Sequence, residues 1–544
     1  MYSFNTSSSQ SWLSWFFRGL LFLAVAILIS RLGELQIIKG AYYKDLADGN
    51  RIRRIVIPAP RGRILARGGE VLAGNTEIKK RIVFDPLEGY KKIDDVKDAK
   101  PDELISEYVR KYPYGADFGH VTGYVGAASG DEVGKIDPDC PDHGPIKPIN
   151  SVGRSGIEAG FECQLRGIDG EELIEVNSMG HKIRVLGTKE PVPGKDLVTT
   201  FDAGIQRKTA LSMKDKKGAA AVTDGHGQIL ALYSSPSYDP NVFIQNDFIS
   251  KKTRGELLAN PDLPLFDRTI SGEYHPGSIF KIVTASAALE EKKITPDFTY
   301  NDTGVIKIGD FSYTNWYFTQ YGSTEGVIGL TKAIARSTDT FFYKVGELTG
   351  VDLLDKWAQK FGLGTKTGVN LPGEASGLVP SPAWKRQAKG ELWFLGNTYH
   401  MAIGQGDLTV TPLQANAIAS VISTKGKLCE PRMIAADVKC KDLGISQSTL
   451  DEIKEGMIGA CSTGGTAYPF FDFKPQVACK TGTAETNEKD KTHAWFNAIA
   501  PVDPSYSKSN AQIVATILVE KGGEGSQVAA PIAKDIISYW TQRQ

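Results

Sequence analysis

Ser278 and Lys281, in the run HPGSIFK, have the types and spacing of a nucleophile and its base. Pro-Gly ahead of an apolar helical run predicts Ser278 in the first turn of a helix, where unsatisfied backbone N–H groups and the macrodipole favour a developing alkoxide or oxyanion. Residues three apart share a helix face, so Lys281 can stand beside the hydroxyl. A serine hydroxyl is a poor nucleophile alone, and a partly desolvated lysine with lowered pKa can take its proton. About one or two S-x-x-K matches arise by chance in a chain of this length, so the pair needs partners.

Two further clusters supply them. Ser337-Thr338-Asp339, within AIARSTDTFFYK, falls on or beside a helix. Its serine can relay a proton between base and leaving group, and Asp339 can orient a lysine or a substrate amide. Alone, the same tripeptide reads as a helix cap or turn. Lys480-Thr481-Gly482-Thr483 lies in the strand-like run VACKTGTAET. Alternation puts Thr481 and Thr483 on one face, where a hydroxyl can hold a substrate carboxylate while Lys480 supplies positive charge. Gly482 allows close backbone approach. Lys366-Thr367-Gly368 repeats the triplet in FGLGTKTGVNLPGE without a flanking strand pattern, and is expected in a loop. S-x-x-K, then S-x-D roughly sixty residues on, then K-T-G-T on a late strand is the order found in penicillin-recognising serine enzymes.

The elements that must hold these residues are legible in outline. GAAAVTDGHGQILALYSS reads as a hairpin around an Asp-Gly-His-Gly turn. Helical patterns follow in FKIVTASAALEEKK, LTKAIARSTDTFFYKVGELTG and LLDKWAQKFG, and strands return after Gln476. Strands, helices and strands again imply an α+β domain over residues 196–544, with helices packed on an antiparallel sheet. Residues 40–195 form a mixed, β-rich unit without a catalytic cluster, a pedestal: IRRIVIP has strand composition, and RILARGG with EVLAGN reads as two strands around a Gly-Gly turn. Residues 94–111 are expected as a solvated polar helix and 133–150 as a loop.

At 544 residues the chain exceeds a single core, and 63 basic against 63 acidic side chains give an ordinary surface that does not call for nucleic acid. The six cysteines lack a C-x-x-C pair, so no metal site is expected. Cys429 and Cys440 flank a short segment and can pair if the domain lies outside the membrane; free, buried cysteines are the default. WLSWFFRGLLFLAVAILISRLGELQII is apolar over the length that spans a hydrocarbon core. Arg18 and Arg31 shorten its uncharged middle, but no small-x-small cleavage site follows Ile29. The expectation is a short tail over 1–15 and an uncleaved signal-anchor helix over 16–37. Its orientation is ambiguous by charge, because residues 1–11 carry no Lys or Arg while Lys39 and Lys44 follow the span.

Beyond the three motifs, the chain resembles the class B penicillin-binding proteins along nearly its whole length. RLGELQIIKGAYYKDLADGNRIR, APRGRILARGGEVLAGN and GRSGIEAGFECQLRGIDG are similar to that family's anchor and pedestal, and ISGEYHPGSIFK, AIGQGDLTVTPLQ and KTGTAET to its transpeptidase domain. The resemblance implies a D,D-transpeptidase of the serine β-lactamase-like fold, outside the cytoplasmic membrane, with no cofactor. Ser278 would attack the penultimate D-Ala carbonyl of a stem peptide, Lys281 would take its proton, and Ser337 with Lys480 would protonate the leaving amine. The N–H groups of Ser278 and Thr483 would form the oxyanion hole, Thr481 and Thr483 would bind the carboxylate, and β-lactams would acylate the same serine. A SEDS-type glycosyltransferase is the implied partner. Most of the family has Asn at the position of Asp339; an acidic residue there, with HAWF at residues 493–496, is more similar to the elongation-type penicillin-binding protein 2 group. Some of that group carry zinc between the first two motifs, but residues 282–336 contain neither Cys nor His, so no metal is expected. Cys479 replaces a more usual small residue and is expected as a half-buried strand cysteine. His493 either lines the site or pairs on the sheet edge. A carboxylate near Lys281 should raise that lysine's pKa against its role as a base, unless desolvation offsets it or Asp339 pairs elsewhere. Same-fold alternatives are a hydrolase, for which no E-x-x-x-N pattern is found between the second and third motifs, and a non-catalytic scaffold.

Overall fold

The computed structural model describes residues 10–85, 89–99, 104–177, 182–245, 247–503 and 512–544. The chain divides into two compact units: Met1–Pro60 with Glu77–Tyr108 and Ile168–Pro193, and Arg61–Thr76 with Val109–Gly167 and Gly194–Gln544.

In the smaller unit the helix Gln10–Gly33 runs on through a π-turn at Glu34–Ile38. The stretch Trp12–Ile38 is long and apolar enough to cross a membrane. Ile52–Ile57, Gly170–Val176 and Lys182–Lys189 form a three-stranded antiparallel sheet. The polar helix expected over 94–111 is not found: Leu104–Lys111 is a strand. Charges on most faces leave no apolar stripe for a helix to bury, whereas Ile105, Tyr108 and Val109 suit a half-buried extended segment.

The larger unit is built on a five-stranded antiparallel sheet. Its spatial order is Ile229–Ser235, Gly218–Asp224, Ile513–Val519, Thr492–Ala500 and Ala478–Glu485. Both faces are covered, so the central strands read as continuous apolar runs rather than alternating ones. Val514 and Leu518 face one core with Ile418 and Ile422 of the helix Pro412–Ser423. Ala515 and Ile517 face another with Ile536 and Trp540 of the helix Ala530–Thr541. The helix Pro412–Ser423 starts where its sequence says it must: Thr411 Oγ1 accepts from Gln414 N–H, Gln414 Oε1 accepts from Thr411 N–H, and Pro412 needs no donor. The hairpin and the late strands are as the sequence implied.

The motifs APRGRIL and GRSGIE meet in the larger unit around one carboxylate. Glu158 is fully buried and takes Arg61 Nε at 2.6 Å and Arg110 Nε at 2.6 Å, with the Tyr112 hydroxyl at 3.3 Å. Burial pushes its carboxyl up, but the two guanidiniums overcome this and hold it below the usual carboxylate value. Removing one partner of such a buried group costs about 3–5 kcal/mol, so the network fixes where these segments sit.

The cysteines depart from the default. Cys140–Cys163, Cys429–Cys440 and Cys461–Cys479 are disulfides, and no cysteine among the described residues is free. Cys479 is a fully buried half-cystine rather than a half-buried thiol. All three join cysteines that are consecutive in the chain, but Cys429 and Cys440 face each other across a short hairpin, whereas the other two pairs depend on the fold to bring their sulfurs together. Cross-links closing loops of 11 to 23 residues contribute roughly 2–4 kcal/mol each.

Candidate active site

Ser278 lies in a 3-10 turn, Gly277–Phe280, that leads directly into the helix Lys281–Glu290. The turn needs Gly277 at φ +56°, and its N–H bonds Gly404 O at 2.8 Å. A side chain at Gly404 would collide with Gly277 O at 2.1 Å. On the other side Gly482 of the edge strand meets the turn: a Cβ there would stand 3.3 Å from Pro276 O and 3.4 Å from Ile279 Cγ2. Gly277 and Gly482 therefore let the Ser278 turn sit against the strand that carries Lys480. Ser278 is half-buried, while Lys281, as the first residue of the helix, is fully buried.

Ser337 owes its position to a break in what reads as one long helix. The helix Leu330–Arg336 ends in a Schellman arrangement, with Ser337 N–H on Ile334 O and Thr338 N–H on Ala333 O, and the helix Asp339–Thr349 starts anew. Ser337 occupies the left-handed position, φ +56° and ψ +39°, that usually falls to glycine. Holding a side chain there costs about 1–2 kcal/mol. What the strain secures is a hydroxyl between two amines: Lys480 Nζ donates to Ser337 Oγ at 2.8 Å and Lys281 Nζ reaches it at 3.2 Å.

Lys281 makes two more bonds, to Ser337 O at 2.8 Å and Asp339 Oδ1 at 2.6 Å, and lies 5.4 Å from the centre of the Phe342 ring. Asp339 is itself held. Its Oδ2 accepts from Trp316 N–H at 3.1 Å, its own N–H bonds Asn315 Oδ1 at 3.1 Å, and Asn315 Nδ2 donates to Asp302 Oδ2 at 3.1 Å. Asp302 also receives the Thr340 hydroxyl at 2.6 Å. Of the two roles open to Asp339, orienting the lysine is the one these contacts support. Asp302, Asn315 and Trp316 have no motif around them, and only the turn-type residues in YNDTG and YTNW hint at a structured loop.

The conflict seen between Asp339 and a basic Lys281 resolves by magnitude. Burial lowers the Lys281 pKa, Asp339 opposes this, and burial prevails. Lys480 is pushed well below its ordinary value by burial and then by the charge of Lys281, with Asp339 opposing from a distance. Its hydrogen-bond partners are a hydroxyl and a carbonyl, Thr481 O at 3.0 Å, with no carboxylate among them. Burial thus disfavours charge on both amines, and Asp339 opposes this most strongly at Lys281, which it contacts directly. A hydroxyl held between two amines can pass a proton from one to the other by giving one and receiving another.

Thr481 and Thr483 share one face of the edge strand, as alternation implied. Thr481 Oγ1 lies 2.9 Å from Thr466 Oγ1, and Thr483 is exposed, with its carbonyl receiving Gln405 Nε2 at 3.4 Å. The strand pairs with Thr492–Ala500 on one side only, which leaves a row of backbone groups for an extended peptide. Past its end, a cavity of about 300 Å³ is lined by Glu273, His275, Glu485, His493 and Lys521 among others. His493 lines this cavity and also pairs on the sheet: it sits opposite Ala484, and its Nδ1 accepts from Lys521 N–H at 3.2 Å. Burial lowers its pKa. The second Lys-Thr-Gly, at Lys366, lies in a loop where Thr367 N–H bonds Glu374 at 2.6 Å.

The Penicillin binding protein transpeptidase domain matches residues 218–538, and the Penicillin-binding Protein dimerisation domain matches residues 102–199. Peptidoglycan D,D-transpeptidase MrdA of Acinetobacter baumannii is 30% identical over 96% of this chain and 86% of its own length. The crystal structure of Pseudomonas aeruginosa PBP2 in complex with WCK 5153 superposes with a TM-score of 0.73 at 30% identity, over 90% of this chain and 96% of that one. The complex between PBP2 and MreC from Helicobacter pylori gives a TM-score of 0.77 at 27% identity, over 90% of this chain and 99% of that one. Motif order, site geometry and these likenesses agree: the chain belongs to the class B penicillin-binding proteins, is a peptidoglycan D,D-transpeptidase, and is most similar to the elongation-type penicillin-binding protein 2 group.

Proposed function

We propose that Ser278 forms an acyl-enzyme with the penultimate D-Ala of a stem peptide and passes it to an amine of a neighbouring stem peptide during cell-wall elongation. The observation that carries this reading is the Ser337 hydroxyl bridging Lys480 at 2.8 Å and Lys281 at 3.2 Å beside the Ser278 turn. A proton moves from Lys281 through Ser337 to Lys480, and neutral Lys281 then takes the Ser278 proton as Oγ attacks the carbonyl. The N–H groups of Ser278 and Thr483 stabilise the oxyanion, and Thr481 and Thr483 hold the terminal carboxylate. The C–N bond breaks, and the departing D-Ala amine receives its proton from Lys480 by way of Ser337. An acceptor amine reverses the sequence: its nitrogen bonds to the acyl carbon, its proton passes through Ser337 to Lys480, and Ser278 Oγ leaves as it takes back the proton held by Lys281. One peptide bond is broken and one made, so no cofactor is needed.

Residues 16–37 anchor the chain in the cytoplasmic membrane, with residues 40–195 as pedestal and 196–544 as the transpeptidase domain on the extracytoplasmic side. Three disulfides support that side, because such bonds persist in oxidising compartments. Glycan chains come from a SEDS-type glycosyltransferase partner, the partner that the family resemblance implies.

The test separates transfer from hydrolysis. The full-length chain, given a D-Ala-D-Ala-terminated peptide and a second peptide amine, is expected to release one D-Ala per cross-link, while a bound penicillin stays attached. Rapid turnover of penicillin would instead assign a hydrolase.

Asp339 gives a prediction with a definite sign. Its charge favours the ammonium form of Lys281, so neutral Lys281 appears only at higher pH than it otherwise would. Asp339→Asn keeps the shape and removes the charge. The acid limb of the β-lactam acylation rate is expected to move to lower pH. A limb that stays in place or moves upward would contradict Lys281 as the base.

A further inference from the structure

The strand that carries Lys480 is an edge strand, laddered to Thr492–Ala500 alone, so nothing in the sheet fixes its free side. Cys479, immediately before Lys480, points to the opposite face and is bonded to Cys461, the residue that ends the helix Gln447–Ala460. That helix lies unusually close to the helix ending at Ser337: a Cβ on Gly456 would stand 2.7 Å from Ile334 Cβ, and one on Gly459 would stand 3.0 Å from Ala335 Cβ. The short loop after Cys461 touches both sides again, through Gly464 O to Arg336 Nη1 at 3.1 Å and through Thr466 Oγ1 to Thr481 Oγ1 at 2.9 Å. Both cysteines are buried in the core that also holds Ala460, Ala467 and Phe496.

We propose that the Cys461–Cys479 disulfide is a positioning element of the proton relay, tying the Lys480 strand to the helix pair that presents Ser337 and so holding Lys480 Nζ on Ser337 Oγ. The proposal rests on the relay described above and goes beyond it, because neither cysteine belongs to the three motifs. It also keeps Lys480 dry. Lys281 and Asp339 are the charged groups that act on Lys480, and neither comes from the helix Gln447–Ala460, so loosening this junction admits water without changing the local charges.

The test uses the full-length chain in detergent and the rate of acylation by a fluorescent penicillin as a function of pH. Cys461→Ala with Cys479→Ala is expected to acylate about 10- to 100-fold more slowly, the cost of a small misplacement at a reacting group. Its acid limb should move to higher pH, as hydration returns the Lys480 pKa toward its ordinary value. Cys140→Ala with Cys163→Ala removes a disulfide elsewhere in the same unit and should leave the pH profile unchanged. Cys461→Val with Cys479→Ala restores volume without the bond and should not rescue the rate. If the alanine pair does not fold, the native chain is reduced with a dithiol. Two electrons and two protons convert the S–S bond into two thiols, the dithiol closes into its own disulfide, and the rate is followed against alkylated Cys461. An unchanged rate and pH profile, an equal loss in the control pair, or rescue by valine would overturn the proposal. Loss of Ser278 labelling in the unmodified chain would instead overturn the relay itself.

Discussion

Lys281→Met is expected to slow acylation by about 10²- to 10⁴-fold while leaving the protein folded, the range that a positioned general base contributes. Methionine matches the length of the lysine stem and suits a fully buried slot against the Phe342 ring. The substitution removes the amine that Ser337 O, Ser337 Oγ and Asp339 Oδ1 hold in place. Asp339 retains its bond from Trp316 N–H and some solvent, so the loss falls on chemistry more than on stability. Lys480 cannot stand in, because it reaches the relay from the other side of Ser337. The rate constant for acylation by a β-lactam at saturating pH measures this directly. A loss smaller than tenfold would mean that another group takes the Ser278 proton.

The residues that meet at the candidate site were legible because their motifs are local and ordered. Ser278 and Lys281 sit three apart on one turn, Ser337 is flanked by cap-forming residues, and Lys480 begins a strand whose alternation assigns faces to Thr481 and Thr483. The family resemblance extends the same logic to Arg61 and Glu158, which come from motifs far apart in the chain and meet in one buried network of the larger unit. What the sequence could not disclose depends on distance in the fold. It showed that a carboxylate near Lys281 should raise its pKa, but the competing burial exists only once Phe342 and the surrounding core close over the amine.

Other misses have equally specific causes. The run LTKAIARSTDTFFYKVGELTG keeps helical composition straight through Ser337, and the left-handed break becomes necessary only because the hydroxyl must point between two lysines. Sulfur pairing was open: six cysteines without a spacing rule allow many connectivities, and Cys461 meets Cys479 only because a helix end packs under the edge strand. Residues 104–111 carry a mixed pattern in which charge counts suggested a surface helix and β-branched residues decided for a strand. The Asp302, Asn315 and Trp316 frame around Asp339 consists of ordinary residues at the ends of two short elements, the strand Thr299–Asp302 and the helix Trp316–Tyr321, and their role is set by where those ends meet.

The central claim is that Ser278 is the nucleophile, and removing it should have the largest effect of all. The full-length chain is incubated with a β-lactam, digested, and its covalent adduct located by peptide mass spectrometry. A single adduct on the peptide containing Ser278, absent from Ser278→Ala, is the result expected; an adduct on any other peptide, or equal labelling of Ser278→Ala, would contradict the account.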